Sequence, residues 1–131
     1  MNLPTELSIN GLKIKLDFSL NCKSENVIYL AKCVICGCLL QFYFGQTVNP
    51  FRTRMNGHRG DFKVENSIFE KSALSMHVFN EHIDDFDKKL TNYDLGIIKS
   101  VNPSQLDRVE DFYIFKTRAD ITGLNRYNVT K

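Results

Sequence analysis

The amino-acid sequence predicts a small α+β domain in which helices flank a three-stranded antiparallel sheet, in the order β-β-α-α-β-α. Two runs rich in β-branched and aromatic residues on either side of a short turn predict the first pair of strands. An Asn-Pro pair follows them, and a second Asn-Pro pair follows a third apolar run. At 131 residues and 43% hydrophobic composition, the chain suits one domain with a modest core.

The three strands of the predicted sheet are read from three apolar segments. "NVIYLAKC" (26–33) and "LLQFYFGQ" (39–46) form a hairpin, because "VICGC" between them supplies Gly37 for the turn. "YDLGIIKSV" (93–101) is the third strand. These segments place one sheet within a single domain.

The chain before this sheet is weakly patterned. Within residues 1–25, only "LKIKLDF" (12–18) alternates apolar and charged residues as a short edge strand does. We therefore expect an N-terminal extension over 1–25 and a domain over 26–131.

Three segments have the spacing of helices. Asn caps a helix and Pro suits its first position, so the Asn-Pro pairs predict helices from about 50 to 62 and from 102 to 118. Between them, "EKSALSMHVFNEH" (70–82) repeats apolar residues at helical spacing. The sequence therefore predicts two helices before the third strand and one after it.

Composition and charge narrow the classes of function. No apolar run approaches the roughly 18 residues that a membrane span needs, and the first residues lack a secretory pattern. An intracellular, reducing compartment is expected. Segments 50–63 and 116–131 each contain four Lys or Arg and one acid, whereas 81–94 contains five acids and two lysines. Both a phosphate-facing surface and ordinary solvated charge are consistent with this distribution.

One carboxylate of the last predicted helix falls within its apolar face. At about 100° per residue, Leu106, Val109, Tyr113 and Ile114 define that face, and Glu110 projects between them. A buried carboxylate costs several kcal/mol unless its charge is compensated. Two interpretations are open: an arginine partner or a position at the edge of the face, and a ligand for a divalent metal ion.

The first predicted helix carries basic residues on its inward side. Arg54 and His58 lie four residues apart on the same side as the apolar residues of that helix. An inward arginine pairs with Glu110 or holds a phosphate oxygen, since its planar fork matches phosphate and remains charged. The sequence does not choose between these partners.

Cysteines and histidines form a second group of candidates. Cys33 and Cys36 lie in the predicted hairpin, and His77 and His82 lie near the end of the second predicted helix. Two thiolates and two imidazoles form a tetrahedral set for Zn²⁺, in which Cys38 could replace Cys36. Buried cysteines with surface histidines are the alternative. Disulfides are not expected, because closely spaced cysteines in a reducing compartment are poorly placed for pairing.

Taken together, these residues resemble the GIY-YIG nuclease family over about 26 to 125. "VIY" stands at the first triplet, with Val27 in place of the usual Gly, and "YFG" stands at the second. "PFRTRMNGH" matches the segment with the family's catalytic arginine, "VEDFYIF" matches its glutamate-bearing helix, and "TGLN" matches a late asparagine. The corresponding residues here are Tyr29, Tyr43, Arg54, His58, Glu110 and Asn125.

The resemblance implies hydrolysis of DNA phosphodiester bonds with Mg²⁺ or Mn²⁺, leaving a 3′-hydroxyl. Tyr29 or Tyr43 would position or deprotonate the attacking water, and Arg54 would offset charge on the phosphate. Glu110 would hold the ion, and Asn125 would support the site. Without the rest of the pattern, the two tyrosines are ordinary strand aromatics. The candidate DNA contacts of the first basic segment are Arg52, Arg59 and Lys63.

The Cys and His pairs bring the resemblance closest to the endonuclease domain of Penelope-like retroelements. "YFGQT", "GHRGDF" and "LSMHVFNEH" all fit that subgroup. The resemblance implies a nuclear location, structural Zn²⁺ and a reverse transcriptase domain in a parent polyprotein. Two alternatives remain open: a zinc-stabilised module that binds nucleic acid without cutting, and a structure-specific repair nuclease of the same superfamily. The oligomeric state is not indicated.

Overall fold

The computed structural model describes residues 3, 5–33, 42–61, 93–121 and 123–127, which form two antiparallel sheets and two α-helices. The strands are β1 (Glu6–Ile9), β2 (Leu12–Lys15), β3 (Val27–Cys33), β4 (Phe42–Thr47) and β5 (Tyr93–Ser100). The helices are α1 (Phe51–Asp61) and α2 (Leu106–Thr117), with 3₁₀ turns at Pro103–Gln105 and Leu124–Tyr127. The predicted α+β class is confirmed at this level. The predicted helix over 70–82 lies outside the described residues.

The three-stranded sheet has the order β4-β3-β5, and both neighbours run antiparallel to β3. Five successive residues of β3, from 27 to 31, are fully buried. A strand covered on both faces needs a continuous apolar run, which "VIYLA" supplies. The predicted pairing of the first two strands is therefore confirmed.

An irregularity in the pairing of β3 with β5 changes which way one residue faces. Tyr29 is opposite Ile97 whereas Ile28 is opposite Lys99, so Ile98 is an extra residue in β5. Side chains alternate between the faces of a strand, and one extra residue reverses the alternation beyond it. Lys99 consequently faces the same side as Ile28 rather than the side of Tyr29.

The N-terminal residues form a hairpin, β1-β2, rather than a single edge strand. Asn10 and Gly11 at its turn have φ of 50° and 85°, as a type I′ turn requires. Strand β2 lies within the predicted segment 12–18 but pairs with β1 instead of the central sheet. β1 was not predicted, because "ELSI" has too little alternation to indicate a strand without its partner.

The hairpin packs closely on the central sheet. A Cβ at Gly96 of β5 would lie 2.7 Å from Leu16 Cδ1, so the glycine permits this close approach. The N–H of Asp17 donates to the carbonyl of Ile97 at 2.9 Å, and the side-chain amide of Asn10 donates to the carbonyl of Thr117. The hairpin is thus attached to both β5 and α2.

The predicted helix starts agree with the structure. α1 follows Pro50 directly. Before α2, the side chain of Asn102 accepts a hydrogen bond from the N–H of Ser104 at 3.0 Å, and Pro103 opens the 3₁₀ turn. α2 ends where Arg118 adopts a left-handed conformation. No described helix is long and apolar enough to cross a membrane.

The core divides into two clusters on opposite faces of β3. We call the side of Val27, Tyr29, Ala31 and Cys33 the tyrosine face; Tyr43, α1 and the 3₁₀ turn at Leu124–Tyr127 contribute to its cluster. We call the side of Ile28 and Leu30 the hairpin face; the N-terminal hairpin and α2 cover it. The predicted site residues Tyr29 and Tyr43 therefore lie on the face that α1 covers.

Candidate active site

Tyr29 occupies the centre of the tyrosine face. It is fully buried in β3, and its partner across the ladder in β4 is Gly45. A Cβ at Gly45 would lie 2.4 Å from both Cζ and Oη of Tyr29, a distance that real Cβ contacts do not reach. The phenol ring therefore lies directly over the backbone of β4. This explains why a glycine must follow three aromatic residues in "FYFGQT".

Two aromatic rings fix the orientation of Tyr29. Tyr43 pairs with Ala31, two residues along the same face, so its ring is a diagonal neighbour with a centroid separation of 6.2 Å. Phe51, the first residue of α1, meets Tyr29 edge-on at 5.3 Å. The phenol is thus held between the second strand and the start of the first helix.

Arg54 lies one helical turn after Phe51 and is half-buried. Its guanidinium hydrogen-bonds to Tyr29 and Tyr43. Burial lowers the pKa of Arg54, but the two tyrosines outweigh that effect and leave its pKa raised, so the group remains charged. Among the described residues, Arg54 forms no ion pair with Glu110. Of the two predicted partners, the carboxylate is therefore not the one that holds Arg54.

The hydroxyl of Tyr29 retains its proton over the physiological pH range. Burial, first of all, raises the pKa of Tyr29 well above its ordinary value, and Tyr43 raises it further. Arg54 opposes this shift by its charge and its hydrogen bond, while Glu110 adds to it. Glu110 therefore acts on the phenol through its charge.

Glu110 is buried in the inward face of α2, with 4% of its surface exposed. The structure confirms the periodicity argument, because Leu106, Tyr113 and Ile114 are buried around it while its neighbour Asp111 is exposed. A carboxylate oxygen is a hard ligand of the type that Mg²⁺ and Mn²⁺ prefer. The donor chemistry at this position therefore fits a divalent cation.

Asn125 supports the edge of β4. Its Oδ1 accepts from the N–H of Phe44 at 2.9 Å, and its Nδ2 donates to the carbonyl of Phe44 at the same distance. The side-chain amide thereby makes the two bonds that a further strand would make. Asn125 is buried, and Phe44 lies between Tyr43 and Gly45. The amide thus fixes the backbone that carries two site residues.

Residues before the sheet hold the start of the helix that carries Arg54, which no pattern in the sequence indicated. The N–H of Phe51 donates to the carbonyl of Ser24 at 2.9 Å, and the N–H of Arg52 donates to the carbonyl of Cys22 at 2.8 Å. The first N–H groups of a helix lack partners within it. Segment 22–24 supplies them here, through main-chain atoms that side-chain patterns do not reveal.

The turn between β4 and α1 is held by a residue that the sequence analysis did not single out. The hydroxyl of Thr47 accepts from the N–H of Asn49 at 3.1 Å. Thr47 is buried at the end of β4. A Thr two residues before Asn-Pro is a local signal of such a turn and could have been noticed.

Several predicted residues cannot be placed in the site. Cys33 is buried on the tyrosine face, but its proposed zinc partners Cys36, His77 and His82 lie outside the described residues. The described part of the chain contains no group of three or more metal-ligating side chains. The zinc site therefore stays a prediction.

The candidate DNA contacts are also only partly described. Arg52 is exposed on α1. His58 and Arg59 belong to the same helix, but the description does not extend to their side chains, and Lys63 lies outside it altogether. Of the three candidate contacts, only Arg52 is shown to be accessible.

Comparison with protein-family models, curated proteins and solved structures found no match to this chain. The likeness to GIY-YIG nucleases therefore depends on the residues quoted from the sequence. The interactions among Tyr29, Tyr43 and Arg54 on the tyrosine face, with the charge of Glu110 acting on Tyr29, are the independent evidence for a site.

Proposed function

We propose that the chain is a metal-dependent DNA endonuclease of the GIY-YIG type. One observation carries the proposal: four polar side chains from four different elements act on one another electrostatically around Tyr29. They are Tyr29 of β3, Tyr43 of β4, Arg54 of α1 and Glu110 of α2. Four polar groups in a small core are unfavourable for stability unless they serve a purpose.

Arg54 is the residue that contacts the phosphate in this proposal. A guanidinium has five N–H donors, and two phenol oxygens leave the others for a ligand. The tyrosines hold the fork in place before a substrate arrives, which avoids the cost of ordering a long side chain. Its permanent charge stabilises the negative charge that develops on the phosphoryl oxygens.

Glu110 is the proposed ligand for Mg²⁺ or Mn²⁺. A bound divalent cation supplies Lewis-acid polarisation of a phosphoryl oxygen and charge stabilisation at the leaving oxygen. The carboxylate comes from an α-helix packed against the sheet, so its position is rigid. The sequence pattern of the family assigns the same role to this position.

The two tyrosines take different roles. Because the pKa of Tyr29 is raised, its hydroxyl stays protonated and orients Arg54 rather than removing a proton. Tyr43 is then the tyrosine that orients or deprotonates the attacking water. Water adds to phosphorus, the P–O3′ bond breaks and O3′ takes up a proton. The products are a 3′-hydroxyl and a 5′-phosphate.

The subgroup proposed is that of Penelope-like retroelements, in which the released 3′-hydroxyl primes DNA synthesis. This proposal includes a nuclear location and a reverse transcriptase domain in a parent polyprotein. It also includes structural Zn²⁺ bound by Cys33, Cys36, His77 and His82. Support comes from the sequence motifs. The burial of Cys33 is compatible with a structural ligand.

Nicking of supercoiled plasmid tests the nuclease. Wild-type protein is expected to nick with Mg²⁺ or Mn²⁺ and not with EDTA. Glu110→Gln removes the charge while keeping the shape, and a loss of about 10²-fold or more is expected. Asp111→Asn is the matched control, because it makes the same change at the exposed neighbouring position of α2. Equal rates for the two variants would contradict the role of Glu110.

Arg54→Lys tests the fork and distinguishes cutting from binding. Lysine keeps the charge but cannot contact two phenols and a phosphate at once. Nicking is expected to fall by about 10²-fold, while Arg108→Lys, at an exposed position of α2, changes little. Wild-type protein that binds plasmid and cuts with neither metal would instead identify a non-cleaving module. Exclusive cutting of branched substrates would identify a repair nuclease.

A further inference from the structure

An open groove of about 870 Å³ lies between the N-terminal hairpin and β5, on the hairpin face of the sheet. The proposed active site, on the tyrosine face, makes no use of it. The groove is lined by three lysines and two aromatic residues among its ten residues, and these five are Lys13, Lys15, Lys99, Phe18 and Tyr113. Basic and aromatic side chains together are the combination that single-stranded nucleic acids bind.

The three lysines come from two neighbouring strands. Lys13 and Lys15 alternate with buried Ile14 in β2, so they share one side about 6.8 Å apart. Lys99 reaches the groove because the extra residue in β5 turns it to this face, where its Nζ lies 5.8 Å from the centre of the Tyr113 ring. Within the described part of the chain, none of the three lysines forms an ion pair.

Two carboxylates also line the groove. Glu6 is opposite Lys15 across the hairpin, and the carboxylate of Asp17 accepts hydrogen bonds from the N–H and the hydroxyl of Ser19. Those bonds lower the pKa of Asp17. They also hold its carboxylate against Ser19 in the same turn. Three lysines against two acids leave the groove with one net positive charge.

Phe18 presents a phenyl ring at the edge of the groove. It is 65% exposed, yet the backbone on both sides of it is fixed. The N–H of Asp17 donates to Ile97 in β5, and the N–H of Leu20 donates back to the carbonyl of Asp17 at 3.2 Å. A large apolar ring held in water on a fixed turn is a ready stacking surface.

We propose that this groove binds an unpaired strand of the DNA substrate, with phosphates on Lys13, Lys15 and Lys99 and a base stacked on Phe18. In taking DNA as the ligand, this inference rests on the proposed function. An unpaired base exposes its face to a side chain, whereas a paired base is stacked within its duplex. Phe18 therefore contributes to the binding of single strands and not of duplexes.

Fluorescence anisotropy with labelled oligothymidylate of about 15 nucleotides, in EDTA, tests the stacking. Phe18→Leu is expected to weaken binding about tenfold, and binding of a labelled duplex stays unchanged. Phe115→Leu is the matched control, since it alters a similarly exposed phenylalanine outside the groove. Equal affinities for the two variants, or an equal loss on the duplex, would overturn the proposal.

Salt titration of the same complex tests the lysines. Lys13→Gln/Lys15→Gln is expected to reduce the slope of log K against log salt by about 1.4, because each phosphate contact on a single strand contributes about 0.7. The control variant Lys23→Gln/Lys116→Gln removes the same charge outside the groove. Its slope is expected to fall by less than that of Lys13→Gln/Lys15→Gln. Identical slopes for the two double variants would show that Lys13 and Lys15 do not contact the phosphates.

The two proposals fail in different ways, because binding in EDTA does not depend on cleavage. A chain that never nicks plasmid but loses single-strand affinity with Phe18→Leu contradicts the nuclease and supports the groove. Nicking with Mg²⁺ together with equal affinities of Phe18→Leu and Phe115→Leu for oligothymidylate supports the nuclease and contradicts the groove. All the variants alter exposed side chains, so unchanged melting temperatures are the check on folding.

Discussion

The two faces of the central sheet are built on one strand but differ in chemistry. On the hairpin face, Ile28 and Leu30 meet apolar side chains of the N-terminal hairpin and α2. On the tyrosine face, alternate residues of the same strand include Tyr29, whose hydroxyl meets a guanidinium and is affected by the charge of a carboxylate. One face is thus a conventional apolar core, and the other combines a core with polar groups.

This difference indicates how the molecule divides its tasks. Apolar burial contributes about 25 cal/mol per Å², so the hairpin face supplies stability without specific partners. Each polar group on the tyrosine face requires a matching partner in a fixed position. Substitutions on the hairpin face should therefore affect the free energy of unfolding alone, whereas substitutions on the tyrosine face should affect both that free energy and the geometry of Arg54.

The largest effect on stability is expected at Phe44, on the hairpin face. Its ring is fully buried and stacks on Tyr113 with a centroid distance of 5.6 Å. Phe44→Ala should reduce the free energy of unfolding by about 3–5 kcal/mol, measured by urea denaturation. Phe112→Ala, at an exposed position of α2, is the control and should cost much less. Similar losses at both positions would contradict the assignment of the core.

Two glycines allow the two faces to be compared with the same substitution. Gly45→Ala places a methyl group 2.4 Å from the confined ring of Tyr29, and a loss of about 3 kcal/mol is expected. Gly96→Ala meets the end of the Leu16 side chain, which can rotate away, so about 1 kcal/mol is expected. Thermal and urea unfolding measure both. A larger loss at Gly96 would show that the tyrosine ring is not rigidly held.

The next largest effect on stability is expected at Asn125, whose side chain bonds to the backbone of β4. Asn125→Ala leaves the N–H and the carbonyl of Phe44 without their side-chain partners, at a cost of about 2 kcal/mol. The amide of Phe44 should then exchange with solvent faster than the amides of β3, as hydrogen exchange by NMR would detect. Unchanged protection of Phe44 would mean that Asn125 does not hold the strand.

The smallest effect at neutral pH is expected for Tyr29→Phe, which removes a hydrogen bond to Arg54 worth about 1 kcal/mol. The pH dependence is more diagnostic. Folding raises the pKa of Tyr29, so the stability from its neutral form is complete below the unfolded value near 10 and is lost as the pH rises above it. The advantage of wild type over Tyr29→Phe should therefore shrink in alkali. An advantage that stays constant from about pH 9 to about pH 11 would contradict the raised pKa.

Much of the fold could be predicted because its signals are local. The apolar run of β3, the Asn-Pro pairs and the inward position of Glu110 depend on alternation, capping and helical periodicity, which short segments contain. β1 could not be predicted in the same way. Its strand conformation depends on pairing with β2 across the Asn10–Gly11 turn, and "ELSI" has little preference of its own.

Helical periodicity was enough to identify Arg54 and Glu110 as candidates, and the resemblance to GIY-YIG nucleases added Tyr29 and Tyr43. The partner of Arg54 was decided only by the tertiary structure, in which its guanidinium meets the two tyrosines. The direction of Lys99 likewise depended on an extra residue in the pairing of β5 with β3. Side-chain partners and strand register depend on distances between segments remote in sequence, and local patterns do not contain those distances.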